Sequence, residues 1–154
     1  MKETRIDRSY DLDTRSVSEV LTQVRGDFQG YEIRFREHFG LIDAYLELLK
    51  KGAKKTTIRY KLGALDCPKT KYLDLFENHF SRPDQKNFAG RVTIKRMIIK
   101  PFGALDEQDA RNDGFTSRTA LYKGLSEIYG PIPQAACVTI YWIELDSNAR
   151  TETT

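Results

Sequence analysis

The run Gly52-Ala53-Lys54-Lys55-Thr56-Thr57-Ile58-Arg59 marks a change of period in the chain. Before it, Leu41, Ile42, Tyr45, Leu46 and Leu49 recur at helical spacing and predict one amphipathic helix. Lys50 and Lys51 suit the negative end of that helix's dipole, and Gly52 suits its C-terminal stop. From Thr56 to Tyr60 the period becomes two, as in a strand. Thr56, Ile58 and Tyr60 then share one face, while Lys55, Thr57 and Arg59 share the other. With Ile58 directed to the core, Thr57 and Arg59 are expected to face a cleft, with Lys54 at its entry. Lys50, Lys51, Lys54, Lys55, Arg59 and Lys61 also form a basic cluster able to attract phosphate. The ordinary alternative is a solvated helix end running into a strand edge.

Upstream, residues 1–15 are polar and expected to be loosely held. Ser16 and Glu19 have capping-box spacing, and Val17, Val20, Leu21 and Val24 predict a short amphipathic helix over 17–25. Residues 31–36 alternate as a strand. Downstream, Gly63 and Pro68 predict a loop over 63–70, followed by a strand over 71–77 and a loop over 81–90. Residues 91–100 predict a strand with Val92, Ile94 and Ile98 on one face and Thr93, Lys95, Met97 and Ile99 on the other. Asp106 can cap a short helix ending near Asp113-Gly114. A second helix after Ser117 carries Leu121, Tyr122, Leu125, Ile128 and Tyr129, and Gly130-Pro131 stops it. Residues 136–145 read as a central strand buried on both faces, with Trp142 in the core. Helices and strands do not alternate regularly, so the expected class is α+β.

The composition frames these elements. At 154 residues, 40% hydrophobic and 31% charged, the chain suits one globular domain. No apolar run is long enough to span a bilayer, and the opening MKETRIDRSYDLD lacks the apolar core of a signal peptide. The expected location is the cytoplasm. Two cysteines, Cys67 and Cys137, cannot build a disulfide framework, and two distant histidines, His38 and His79, do not suggest a zinc site. No metal or other cofactor is expected.

Gly52, Lys54, Thr57 and Arg59 match Gly-x-Lys-x-x-Thr-x-Arg, a pattern that resembles the hallmark of ASCH domains. The likeness continues through Gly90-Arg91-Val92-Thr93-Ile94, then Phe102 and Leu105, to Asp109-Ala110-Arg111-Asn112-Asp113-Gly114-Phe115. After Ser117 a helix ending at Tyr129 and an apolar strand with Trp142 complete it. The resemblance covers residues 31–145 and leaves 1–30 as an N-terminal extension and 146–154 as a polar tail. It implies a PUA-like fold, a small curved β-barrel with flanking helices, and a cleft beside the barrel. It also implies nucleic-acid-related work, with RNA or a modified nucleotide as the partner and no membrane. Some small bacterial ASCH proteins remove acetyl from N4-acetylcytidine using a lysine, a threonine and a glutamate. The first two carry over to Lys54 and Thr57, and the glutamate position falls on Asp113, one methylene shorter. Lys55 stands where those enzymes commonly carry a threonine. ASCH proteins have also been linked to RNA cleavage.

Amide hydrolysis needs a nucleophile, a base and an acid for the leaving amine. Thr57 would supply the hydroxyl, Lys54 the base and Asp113 the acid. Burial together with Arg59 and Lys55 would lower the Lys54 pKa. Arg59, with Lys55, Lys61 and Tyr60, would hold phosphate or a base. Each residue also has an ordinary role open to it. Thr57 suits a strand by its β-branching, Lys54 a helix end, Asp113 a turn before Gly114, and Arg59 an ion pair with Asp113. Of the aromatic residues Tyr60, Tyr72, Phe76, Phe88 and Phe102, Tyr60 and Phe88 are the candidates to stack bases.

Overall fold

The computed structural model describes residues 8–78 and 86–146. Its strands are β1 (Arg8–Asp11), β2 (Glu32–Arg36), β3 (His38–Ile42), β4 (Thr56–Arg59), β5 (Ala64–Pro68), β6 (Tyr72–Asn78), β7 (Lys86–Pro101) and β8 (Cys137–Leu145). The helices are α1 (Val17–Asp27), α2 (Asp43–Lys51), α3 (Glu107–Asn112) and α4 (Arg118–Tyr129), with a 3-10 turn at Phe102–Ala104. The architecture is α+β: four helices around a strongly curled, half-barrel sheet. Such a sheet is compatible with a PUA-like fold.

The sheet runs β3-β6-β7-β8-β4, and β1 pairs with β7. The 16-residue β7 organises it. On one edge β7 pairs first with β6 (residues 86–93) and then with β1 (96–99), while β8 follows the other edge. Ile94 and Arg96 lie opposite the consecutive residues Ile143 and Trp142, so Lys95 is an extra, bulged residue. A bulge bends a strand and increases its local twist, which here curls the sheet. It also reverses the facing of everything after it. Val92, Ile94, Met97 and Ile99 all join the core inside the curl, and Ile98 packs on the opposite side. The uninterrupted alternation expected from the sequence is therefore broken at Lys95.

Two apolar clusters cover the two faces. One lies inside the curl and includes Phe39, Leu75, Val92, Met97 and Tyr141, with Tyr10, Leu12, Val20, Val24 and Phe28 from the N-terminal segment. The other packs Ile58, Tyr60, Val138 and Ile140 against Ala110, Leu121 and Leu125 of α3 and α4. Strand β8 contributes to both, as its continuous apolar run predicts. Trp142 is only partly buried, at the margin of the second cluster.

Several sequence expectations are revised. Residues 8–12 are not loose: β1 pairs along β7, and Tyr10 and Leu12 are fully buried. Leu41 and Ile42 belong to β3 rather than to the helix, which begins at Asp43. Both periods place Leu41 inside, so apolar spacing alone did not separate them. Residues 64–68 form β5, parallel to β2, rather than a loop. Burial on every residue of β5 outweighs the turn chemistry of Gly63 and Pro68. Cys67 therefore lies in a buried strand, where burial pushes its thiol up to about 12 and makes it a poor nucleophile. Of the expected loop at 81–90, residues 86–90 are strand, and the remainder lies outside the described residues.

Helix α1 does have the expected capping box. The Glu19 N–H donates to the Ser16 hydroxyl at 3.1 Å, and the Ser16 N–H donates to the Glu19 carboxylate at 2.9 Å. Ser16→Ala is expected to cost about 1 kcal/mol. The urea midpoint should fall with an unchanged denaturant slope, because α1 unfolds with the rest of the core.

Candidate functional site

The turn out of α2 delivers Lys54 to the interior. Gly52 adopts φ 82°, the left-handed geometry that a C-terminal glycine supplies. The N–H groups of Ala53 and Lys54 then both reach the Leu48 carbonyl, at 2.9 and 3.1 Å. This tight closure turns the chain back, and Lys54 ends 3% exposed. The expected alternative, a solvated lysine at a helix end, does not hold.

Asp113 arrives from the other side. Helix α3 is fixed at its start by a capping box between Asp106 and Asp109. Lys100 of β7 adds an ion pair to Asp109 at 2.7 Å. At its end, Asp113 caps α3, and Gly114 follows with φ 94°. A Cβ on Gly114 would lie 3.1 Å from Leu48 and 3.4 Å from Lys54, so glycine lets the two segments close on each other. The Lys55 N–H donates to the Asn112 carbonyl at 2.7 Å and joins α3 to the start of β4.

The result is a buried ion pair. Lys54 Nζ lies 3.2 Å from Asp113 Oδ1 and also donates to the Asp113 main-chain carbonyl at 3.2 Å. The Thr56 hydroxyl donates to the same Oδ1 at 2.9 Å. Asp113 is 3% exposed. The Tyr45 ring lies 5.6 Å from the Lys54 ammonium and packs on Phe115. Burial moves the two groups in opposite directions. The Lys54 pKa falls because of burial, which the Asp113 charge opposes and the Arg59 charge assists. The Asp113 pKa rises because of burial, against the effects of Lys54, Thr56 and Arg59.

The other sequence candidates lie elsewhere. Thr57 is buried on the opposite face of β4, across from Tyr141 of β8. Arg59 shares that face. Its Nη2 donates to the Gly40 carbonyl at 3.1 Å, its guanidinium lies 5.4 Å from the centre of the Phe39 ring, and its Nε is buried without a hydrogen-bond partner among the described residues. Arg59 thus spans the gap between β4 and β3, the two ends of the curled sheet. Lys55 and Lys61 are exposed. Tyr60 is buried, edge-on to Tyr129. Phe88 is 61% exposed and edge-on to Phe76.

Two features escaped the sequence reading. Thr56 is the threonine that reaches Asp113, because strand alternation puts it with Ile58 on the α3 side. The second is a buried cluster on β5. Arg36 grips Asp66 with two hydrogen bonds of 2.9 and 2.8 Å, and the Tyr141 hydroxyl donates to Asp66 at 2.6 Å. A lone carboxylate between Leu65 and Cys67 was the available signal.

No family model matches the sequence, and no curated protein does. Among solved structures, the chain is similar to the crystal structure of protein EF3133 from Enterococcus faecalis V583, of family DUF984. That structure is 12% identical, with a TM-score of 0.49, over 84% of this chain and 92% of the other. So distant a likeness adds nothing to the functional reading. No described helix is long and apolar enough to cross a membrane. Among the described residues, no three His, Cys, Asp or Glu side chains gather as a metal set.

Proposed function

We propose that this is an ASCH-type, PUA-like cytoplasmic domain that binds RNA or a modified nucleotide beside the half-barrel. The buried contact of Lys54 with Asp113 carries this reading. Taking two charges out of water is costly, and opposed pKa shifts in contacting groups are characteristic of functional sites. The contact falls on the Gly-x-Lys-x-x-Thr-x-Arg segment, whose exposed Lys55, with the exposed Lys61 just beyond it, suits a phosphate chain. Binding of single-stranded RNA should weaken steeply with salt. Lys55→Ala and Lys61→Ala should each lower affinity for all sequences and flatten the salt slope by about 1. Salt-independent binding, or none, would overturn the reading.

The same contact favours a second reading, an amidohydrolase acting on N4-acetylcytidine or a similar acylated nucleoside. A lysine with a lowered pKa is a better base at neutral pH, and Asp113 with a raised pKa is a better acid. The hydroxyl nearest to these groups belongs to Thr56, whereas the resemblance assigns the nucleophile to Thr57. Acetate release from N4-acetylcytidine, measured in Thr56→Val and Thr57→Val, separates the two. No release by the wild-type protein removes this reading and leaves the binding reading standing. Cleavage of the RNA itself would instead favour a ribonuclease.

A further inference from the structure

At the far end of β4, the tight turn through Gly63, the α1–β2 connection and the start of β8 border an open cavity of about 370 Å³. That is within the range of about 300–1,000 Å³ found for small-molecule sites. Gly63, Ala64 and Ala136 are among its lining residues. Tyr31, Tyr60 and Lys61 also line it.

Both rings are held in place before any ligand arrives. Tyr31 packs edge-on to Phe28 at 5.6 Å. Tyr60 packs edge-on to Tyr129 at 5.8 Å. Tyr31 nevertheless remains 44% exposed, so its ring is available to a ligand. The preordered, exposed ring of Tyr31, the small lining residues and the exposed Lys61 suit a planar ring that carries a phosphate. A nucleobase stacks on such a ring whatever its sequence.

The position of the cavity adds a constraint. Thr56, which bonds Asp113, opens β4, and Tyr60, which lines the cavity, directly follows that strand, four residues on. At a rise of about 3.3 Å per residue they are about 13 Å apart. One nucleoside is too short to occupy both places, whereas a short single strand spans them.

We infer that the Tyr31–Tyr60–Lys61 cavity is a subsite for a neighbouring nucleotide, and that the ligand of the domain is single-stranded RNA rather than a free nucleoside. This rests on the nucleotide-binding reading above.

The test is a titration of the full chain with a mixed-sequence single-stranded RNA hexamer and, separately, with cytidine monophosphate. The hexamer should bind more tightly. Tyr31→Ala should weaken the hexamer by about tenfold or more, while Tyr31→Phe, which keeps the ring, should retain most of the affinity. Tyr31 is at the surface, so thermal melting should be little changed in either variant. If the wild-type protein binds the hexamer and Tyr31→Ala binds equally well, the subsite is wrong and the nucleotide-binding reading stands. If the monophosphate binds as tightly as the hexamer, the ligand is a free nucleotide and the inference fails. If neither binds, both readings fail.

Discussion

Lys54→Met and Asp113→Val are each expected to cost about 3–5 kcal/mol, because each leaves one buried charge without its partner. The two together should recover most of that loss, since an apolar pair of similar volume avoids both desolvation penalties. The expected remainder is about 1 kcal/mol or more, from the Thr56 hydroxyl left without its acceptor. Chemical denaturation of the four proteins measures the coupling directly. Additive losses would mean that the charges do not interact as their 3.2 Å separation requires.

The pH dependence has a definite sign. Asp113 has a raised folded pKa, so its contribution to stability is full below its unfolded value of 3.8 and is lost as pH rises through the folded value. Lys54 has a lowered folded pKa, so its contribution is full above its unfolded value of 10.5 and is lost as pH falls through the folded value. Both windows should disappear in the double variant.

The second large effect is expected at Asp66. Its side chain is 0% exposed and Arg36 is 17% exposed, so the pair is screened little by water. Asp66→Ala leaves the Arg36 fork and the Tyr141 hydroxyl without an acceptor. It should cost about 3–5 kcal/mol, which for a chain of this size lowers Tm by about 10 °C or more. Tyr141→Phe removes one bond to a charged group and should cost less, about 1.5–3 kcal/mol. The cluster joins the β2–β5 pair to the main sheet, because Thr139 of β8 also donates to the Asp66 carbonyl at 2.7 Å. Scanning calorimetry of both variants checks the order. Equal losses would mean that Arg36 contributes nothing.

Local signals carried much of the fold. The capping box at Ser16, the stop at Gly52 and the doubly buried run of β8 each depend on residues close in sequence, and each is present in the structure. Long-range pairing supplied the rest. Nothing in Arg8–Asp11 announces a strand, because its partner lies about ninety residues later in β7. Nothing in 91–100 announces the bulge at Lys95, which exists because the sheet must curl over its core. At the candidate site, the type and spacing of Lys54 were legible, and so was the interest of Asp113. Their burial was not, since it depends on α3 closing over the α2–β4 turn. The choice between Thr56 and Thr57 could not be made from the motif, because only the packing of α3 fixes which face of β4 meets the carboxylate.

The ion pair and the proposed function meet in one measurement, the affinity of Lys54→Met/Asp113→Val for a single-stranded RNA hexamer at fixed salt. This variant is expected to keep its fold. If the buried pair belongs to the nucleotide site, its affinity should fall by about tenfold or more while its melting transition stays cooperative. Wild-type affinity in the folded double variant would contradict the account and leave Lys54 and Asp113 as parts of the scaffold alone.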